Sequence, residues 1–168
     1  MNKETQKAMF SSKSAEWETP QEVYDHLNRE YGFTLDPCAT SKTAKCEKYY
    51  TKEDDGFSKS WEGEKVFMNP PYGRDIKRWI KKAYEEGQKP GTVVACLIPS
   101  RTDTKYWHDY CMKAWKIYFI KGRLKFENRF SVGTSSSAPF PSVVVIFKNT
   151  KGCGATPGIV GISTLEIK

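Results

Sequence analysis

Asn69-Pro70-Pro71-Tyr72 is the most chemically pointed segment of this sequence. It follows Lys65-Val66-Phe67-Met68, an apolar run of buried-strand type. Two consecutive prolines fix φ and remove two backbone donors, so the turn is stiff. The residue before a proline is driven to extended backbone, which projects the Asn69 side chain from the strand end. Tyr72 adds a flat face beside it. An amide oxygen, the carbonyl of Pro70 and an aromatic plate together form a receptor for a planar molecule that carries an NH2 group.

The elements around this segment follow from periodicity. Thr19 with Glu22 three residues later reads as a capping box, with Pro20 at the first helical position and Gly32 as the stop. Val23, Leu27 and Tyr31 share one face of that helix. Phe33–Asp36 reads as a short strand ending on an acid, and Lys48–Thr51 as another. Asp75 opens a helix with Ile76, Trp79, Ile80, Ala83 and Tyr84 on one stripe, ended by Gly87 and Pro90. Thr92–Ile98 is apolar on both faces, as a central parallel strand should be. A third helix is predicted over Thr104–Ala114. Strands are predicted over Lys116–Lys121 and Leu124–Phe126 about a tight Gly122 turn, then Ser142–Lys148 and Ile159–Ile167. Ser131–Pro141 is a Gly/Ser/Pro loop.

Helices and strands alternate up to about Lys121, and strands then follow strands. The expected class is α/β: a compact Rossmann-like sheet, mostly parallel with an antiparallel C-terminal finish, and helices on both faces. Ligands in such sheets bind at the carboxyl ends of the strands. Asp36, Asn69 and Pro99-Ser100-Arg101 all fall there. The 168 residues are expected to form one domain over 17–168 behind a polar, flexible arm, 1–16.

Composition narrows the function. The 14% aromatic content argues against disorder. No run approaches a membrane span, and Met1–Ser14 lacks an apolar core of signal type, so a cytoplasmic location is expected. Five scattered cysteines and two histidines show no metal-site spacing, so no metal is expected. The net charge of +7 is unevenly placed. Met1–Ser100 holds sixteen basic and sixteen acidic residues, whereas Arg101–Lys151 holds ten basic and three acidic. A phosphate backbone is one partner for such a stretch. Arg101, and Lys121, Arg123, Lys125 and Arg129 interleaved with Phe126 and Phe130, are the candidate DNA contacts, on a hairpin and loop over about 119–141. An ordinary basic surface is the alternative.

Several segments occur in a recognisable order: Trp17-Glu18-Thr19-Pro20, Asp36-Pro37-Cys38-Ala39, Asp55-Gly56-Phe57 with Trp61, Asn69-Pro70-Pro71-Tyr72-Gly73, Leu97-Ile98-Pro99-Ser100-Arg101-Thr102-Asp103 and Gly122-Arg123-Leu124-Lys125-Phe126. Over roughly residues 15–148 this set resembles the phage and prophage DNA N6-adenine methyltransferases, the phage-type Dam proteins. The resemblance implies an S-adenosyl-L-methionine-dependent enzyme of a bacterial host cell, acting on double-stranded DNA as a monomer or weak homodimer. It implies catalytic roles for Asn69, Pro70, Pro71 and Tyr72, with the Asn69 side chain and the next carbonyl accepting hydrogen bonds from the target NH2. Cofactor contacts fall by the same resemblance on Trp17, Thr19, Pro20, Asp36, Pro37, Cys38 and Ala39, and on Asp54 or Asp55. Asp55 is preferred for its Asp-Gly turn. Related methyltransferases carry glycines after the acid, where this chain has Thr40-Ser41. Alternative functions are an N4-cytosine DNA methyltransferase, a protein glutamine-N5 methyltransferase and a non-catalytic nucleic-acid-binding module.

Overall fold

A computed structural model describes residues 17–126, 137–150 and 158–163. The expected arm 1–16, Arg129, Phe130 and most of the Ser131–Pro141 loop lie outside them.

Among the described residues, seven strands form one sheet: β1 (Leu35–Asp36), β2 (Lys48–Tyr49), β3 (Lys65–Met68), β4 (Val93–Pro99), β5 (Lys116–Lys121), β6 (Ser142–Lys148) and β7 (Gly158–Ser163), in the order β2-β1-β3-β4-β6-β5-β7. β1 to β4 run parallel. β6 is antiparallel to both β4 and β5, and β7 is parallel to β5. The antiparallel finish is therefore a single strand, β6, inserted between β4 and β5. It also replaces the predicted hairpin. β5 spends its two edges on β6 and β7, so Leu124–Phe126 cannot pair with it. Lys125 instead makes an isolated antiparallel bridge to Ser137, and Leu124 and Phe126 turn into the core.

Side-chain alternation splits the interior in two. Phe67, Ala95, Leu97 and Val144 point to one face, where α1 (Gln21–Tyr31) lays down Val23, Tyr24 and Leu27. Val66, Met68, Val94, Cys96 and Val145 point to the other, against Trp79, Ile80 and Ala83 of α2 (Ile76–Gly87) and Tyr106 and Trp107 of α3 (Lys105–Asp109). The predicted third helix is interrupted at Tyr110 and continues as a 3-10 turn over Cys111–Lys113.

The start of α1 departs from the capping box. Pro20 takes the cap position and no side chain among the described residues caps the helix. The Pro20 carbonyl accepts from the N–H groups of Val23 and Tyr24, and the Thr19 side chain is turned elsewhere. The end is as predicted, with Gly32 at φ 62° donating to the Asn28 carbonyl. Lys82, on α2, is not a free surface charge. It bonds the buried Glu86, which also accepts from Lys89 and from the Trp61 N–H at 2.8 Å, so it ties the helix to the loop leading into β3.

Candidate active site

Asp36 ends β1, Asn69 directly follows β3 and Ser100 directly follows β4, so the three parallel strands deliver these residues to one edge. A cavity of 730 Å³ opens there. Trp17, Glu18 and Thr19 form one wall, Asp36 to Ser41 another, Asp55 to Phe57 a third, and Asn69, Pro70 and Pro71 close it. A smaller cavity of 340 Å³ lies at the opposite, amino edge among Glu30, Lys65, Trp115 and Lys148, and no candidate residue reaches it.

Asn69 is held from several sides. Its Nδ2 donates to the Trp17 carbonyl at 2.5 Å and to Thr19 Oγ1 at 2.8 Å. Its Oδ1 is buried and has no partner among the described residues. A buried acceptor without a donor is costly and uncommon. Here it belongs to a residue that lines the cavity.

Asp36 is 6% exposed. Its carboxylate accepts the N–H of Cys38 at 3.4 Å and of Lys45 at 3.2 Å, pinning both ends of the loop that lines the cavity. Burial raises its pKa to about 6, and the two N–H bonds pull back only part of that shift. The folded carboxyl thus holds its proton more tightly than the unfolded one. Stability from this group is greatest below the unfolded pKa near 3.8 and is lost as pH rises toward about 6. Ionised Asp36 is the form that accepts both N–H groups, so cofactor affinity, read by calorimetry, is expected to fall as pH drops through about 6. Asp36→Ala, which frees the loop, is expected to raise the cofactor Kd at neutral pH. A folded variant with unchanged Kd would place the cofactor away from this loop.

Asp54 and Asp55 separate cleanly. Asp54 accepts from Thr51 N–H and Oγ1 on the surface and does not line the cavity. Asp55 does, at φ 51°, a left-handed conformation that aspartate tolerates. The next residue must be glycine for space: a Cβ on Gly56 would stand 2.3 Å from the Pro37 carbonyl oxygen. The two walls therefore touch at Gly56.

Among the other expected cofactor residues, Trp17, Thr19, Pro37, Cys38 and Ala39 line the cavity, whereas Pro20 is buried outside its lining. Phe57 and Trp79 also line it, with ring centroids 3.9 Å apart. Trp79 fits the stripe of a core helix, so periodicity alone gave no sign of this role, although Phe57 sits in an ordered segment of the resemblance.

Tyr72 stands beside the cavity, half-buried. Its hydroxyl donates to the Leu97 carbonyl at 3.3 Å, and its ring packs edge-on against Phe140 and Phe126. Trp17 packs edge-on against the same two rings. Phe126, expected on the DNA-facing surface, is thus completely buried and supports Trp17 and Tyr72 from behind. Lys121, Arg123 and Lys125 are exposed. Because β5 runs in the same direction as β4, they leave the sheet at the same edge as Asn69. Arg101 turns tightly after β4, with its carbonyl accepting from Thr104 N–H and Oγ1, and it does not line the cavity.

A family model described as DNA N-6-adenine-methyltransferase (Dam) matches residues 6–165. The chain belongs to the Dam family. Its relatives include the DNA N-6-adenine-methyltransferase of Haemophilus phage HP1, 26% identical over 136 residues, which are 79% of this chain and 78% of that protein. Another is the DNA N-6-adenine-methyltransferase of Escherichia phage T1, 33% identical over 111 residues. Those residues are 64% of this Dam-family chain and 45% of the T1 protein, so the match spans just under half of that relative. The family match covers every segment that lines the cavity and the exposed Lys121, Arg123 and Lys125.

Proposed function

We propose that this chain transfers a methyl group from S-adenosyl-L-methionine to the N6 amino group of adenine in double-stranded DNA, with the target base turned out of the helix. The observation that carries this reading is Asn69: both Nδ2 protons are used inside the protein, and Oδ1 is left buried and unpaired among the described residues. An exocyclic amine presents two donors, and an acceptor of this kind suits one of them.

The adenine amine is conjugated and weakly nucleophilic. Asn69 Oδ1, with the Pro70 carbonyl as second acceptor, would hold its protons and favour a tetrahedral nitrogen with a directed lone pair. No strong base is needed, because the nitrogen becomes acidic as it is methylated. Positioning and fixed dipoles carry the rate. A duplex hides this nitrogen, so the base must leave the stack. Tyr72, braced by Phe126 and Phe140, offers the face against which it would lie.

The cavity fits the cofactor in size and lining. Its volume falls within the range of small-molecule sites, ~300–1,000 Å³. Pro37, Ala39, Phe57 and Trp79 supply apolar walls, and Glu18, Lys45 and Asp55 supply polar ones. When bound, S-adenosyl-L-methionine supplies an electrophilic methyl carbon on a sulfonium. No helix among the described residues is long and apolar enough to cross a membrane.

Nucleoside analysis of duplex DNA incubated with the protein and methyl-labelled cofactor tests the reading. N6-methyladenine is the expected product. N4-methylcytosine, or no labelled nucleoside, would overturn it. A narrower test concerns Tyr72. Base–aromatic stacking is worth about 1–3 kcal/mol, so Tyr72→Ala should impair DNA methylation strongly. Tyr72→Phe loses only one long hydrogen bond to Leu97 and should be mild. Equal damage from both, measured as kcat/KM for DNA, would contradict the stacking role.

A further inference from the structure

The Asn69 carboxamide can be turned in two ways, and only one presents an acceptor to the target amine. With the other, two donors would face two donors. The choice is made by groups fifty residues away. The Trp17 carbonyl can only accept, so the nitrogen end must face it. The second Nδ2 proton goes to Thr19 Oγ1.

We propose that Thr19 is a positioning residue for Asn69, its hydroxyl oxygen locking the carboxamide so that Oδ1 faces the target amine. This rests on the reading of Oδ1 as the acceptor for that amine. Thr19 is 4% exposed and does not cap α1, so its side chain is not used for the helix start that its sequence context indicates. The Asn69 backbone is held separately, by the two prolines that follow it. Loss of the Thr19 hydroxyl therefore releases the amide without releasing the turn. Trp17 is fixed independently by Phe126 and Phe140, so its carbonyl remains as a single restraint.

The test uses the full chain labelled with 15N-asparagine, the Asn69 side-chain resonance being assigned by its loss in Asn69→Asp. In the wild type the Asn69 Nδ2 protons should exchange with solvent at least ~10-fold more slowly than those of free asparagine. Thr19→Val keeps the shape and removes the acceptor. It should speed that exchange and lower kcat at saturating cofactor roughly 3- to 10-fold, the worth of one hydrogen bond. Thr19→Ser should restore both. Should the valine variant not fold, Thr19→Ala, which only removes atoms, is read the same way. Exchange that is fast in the wild type or unaltered by the substitution overturns the proposal, as does an unchanged kcat. A raised cofactor Kd with normal kcat at saturation also overturns it and makes Thr19 a cofactor contact. If the wild type methylates no adenine, the functional reading falls, while amide exchange still decides whether Thr19 holds Asn69.

Discussion

Asn69→Ala is expected to reduce methyl transfer by ~10²-fold or more at saturating cofactor and DNA, the usual cost of deleting one preorganised donor or acceptor. The alanine removes the carboxamide at the strand end and with it the unpaired Oδ1. Cofactor affinity should change little. Asn69 closes one side of the cavity, but Trp17 is braced by Phe126 and Phe140, and the Asp36 loop is pinned by its own carboxylate. Single-turnover methylation with parallel calorimetry separates the two quantities. Near-normal turnover in the variant would remove Asn69 from the mechanism. A large rise in cofactor Kd with normal turnover at saturation would make it part of the cofactor wall instead.

The second large effect is expected from charge. Neutralising Lys121, Arg123 and Lys125 together should weaken duplex binding and flatten its salt dependence, by a slope of about 0.9 for each phosphate left without its cation. All three are exposed and leave the sheet at the edge that holds Asn69, so their replacement should leave the fold and cofactor binding intact. The structure also selects the control. Of the basic residues on α2, Lys82 is tied to Glu86 and the Lys59 carbonyl, and Arg78 lies 4.6 Å over the ring of Phe57 in the cavity wall. Lys77 and Lys81 remain, both exposed. Their neutralisation should change binding little. Equal effects from the two sets, measured as Kd across a salt series, would mean that net charge alone governs DNA binding.

Periodicity and local chemistry were enough to locate α1, α2, β3, β4 and β6, because an apolar stripe or a doubly apolar strand is written in consecutive residues. The same holds for the Asn69-Pro70-Pro71-Tyr72 turn: two prolines restrict the backbone whatever surrounds them. That Asp36 and Asn69 would share an edge also followed from the parallel βα order. Long-range pairing decided the rest. Whether Leu124–Phe126 folds back on β5 depends on β6, about twenty residues further on, which occupies that edge and sends Phe126 inward. Thr19 reads locally as a helix cap, yet a donor on Asn69, fifty positions away, takes its hydroxyl oxygen. Asp54 and Asp55 are adjacent and chemically alike, and only the Thr51 hydrogen bonds and the approach of Gly56 to Pro37 turn one to solvent and the other to the cavity. Four consecutive residues singled out Asn69, the side chain whose oxygen the structure leaves without a partner among the described residues. Packing across the sheet edge chose which end of its amide is bonded inside the protein and which is left unpaired, because a carboxamide has no orientation of its own until surrounding acceptors impose one.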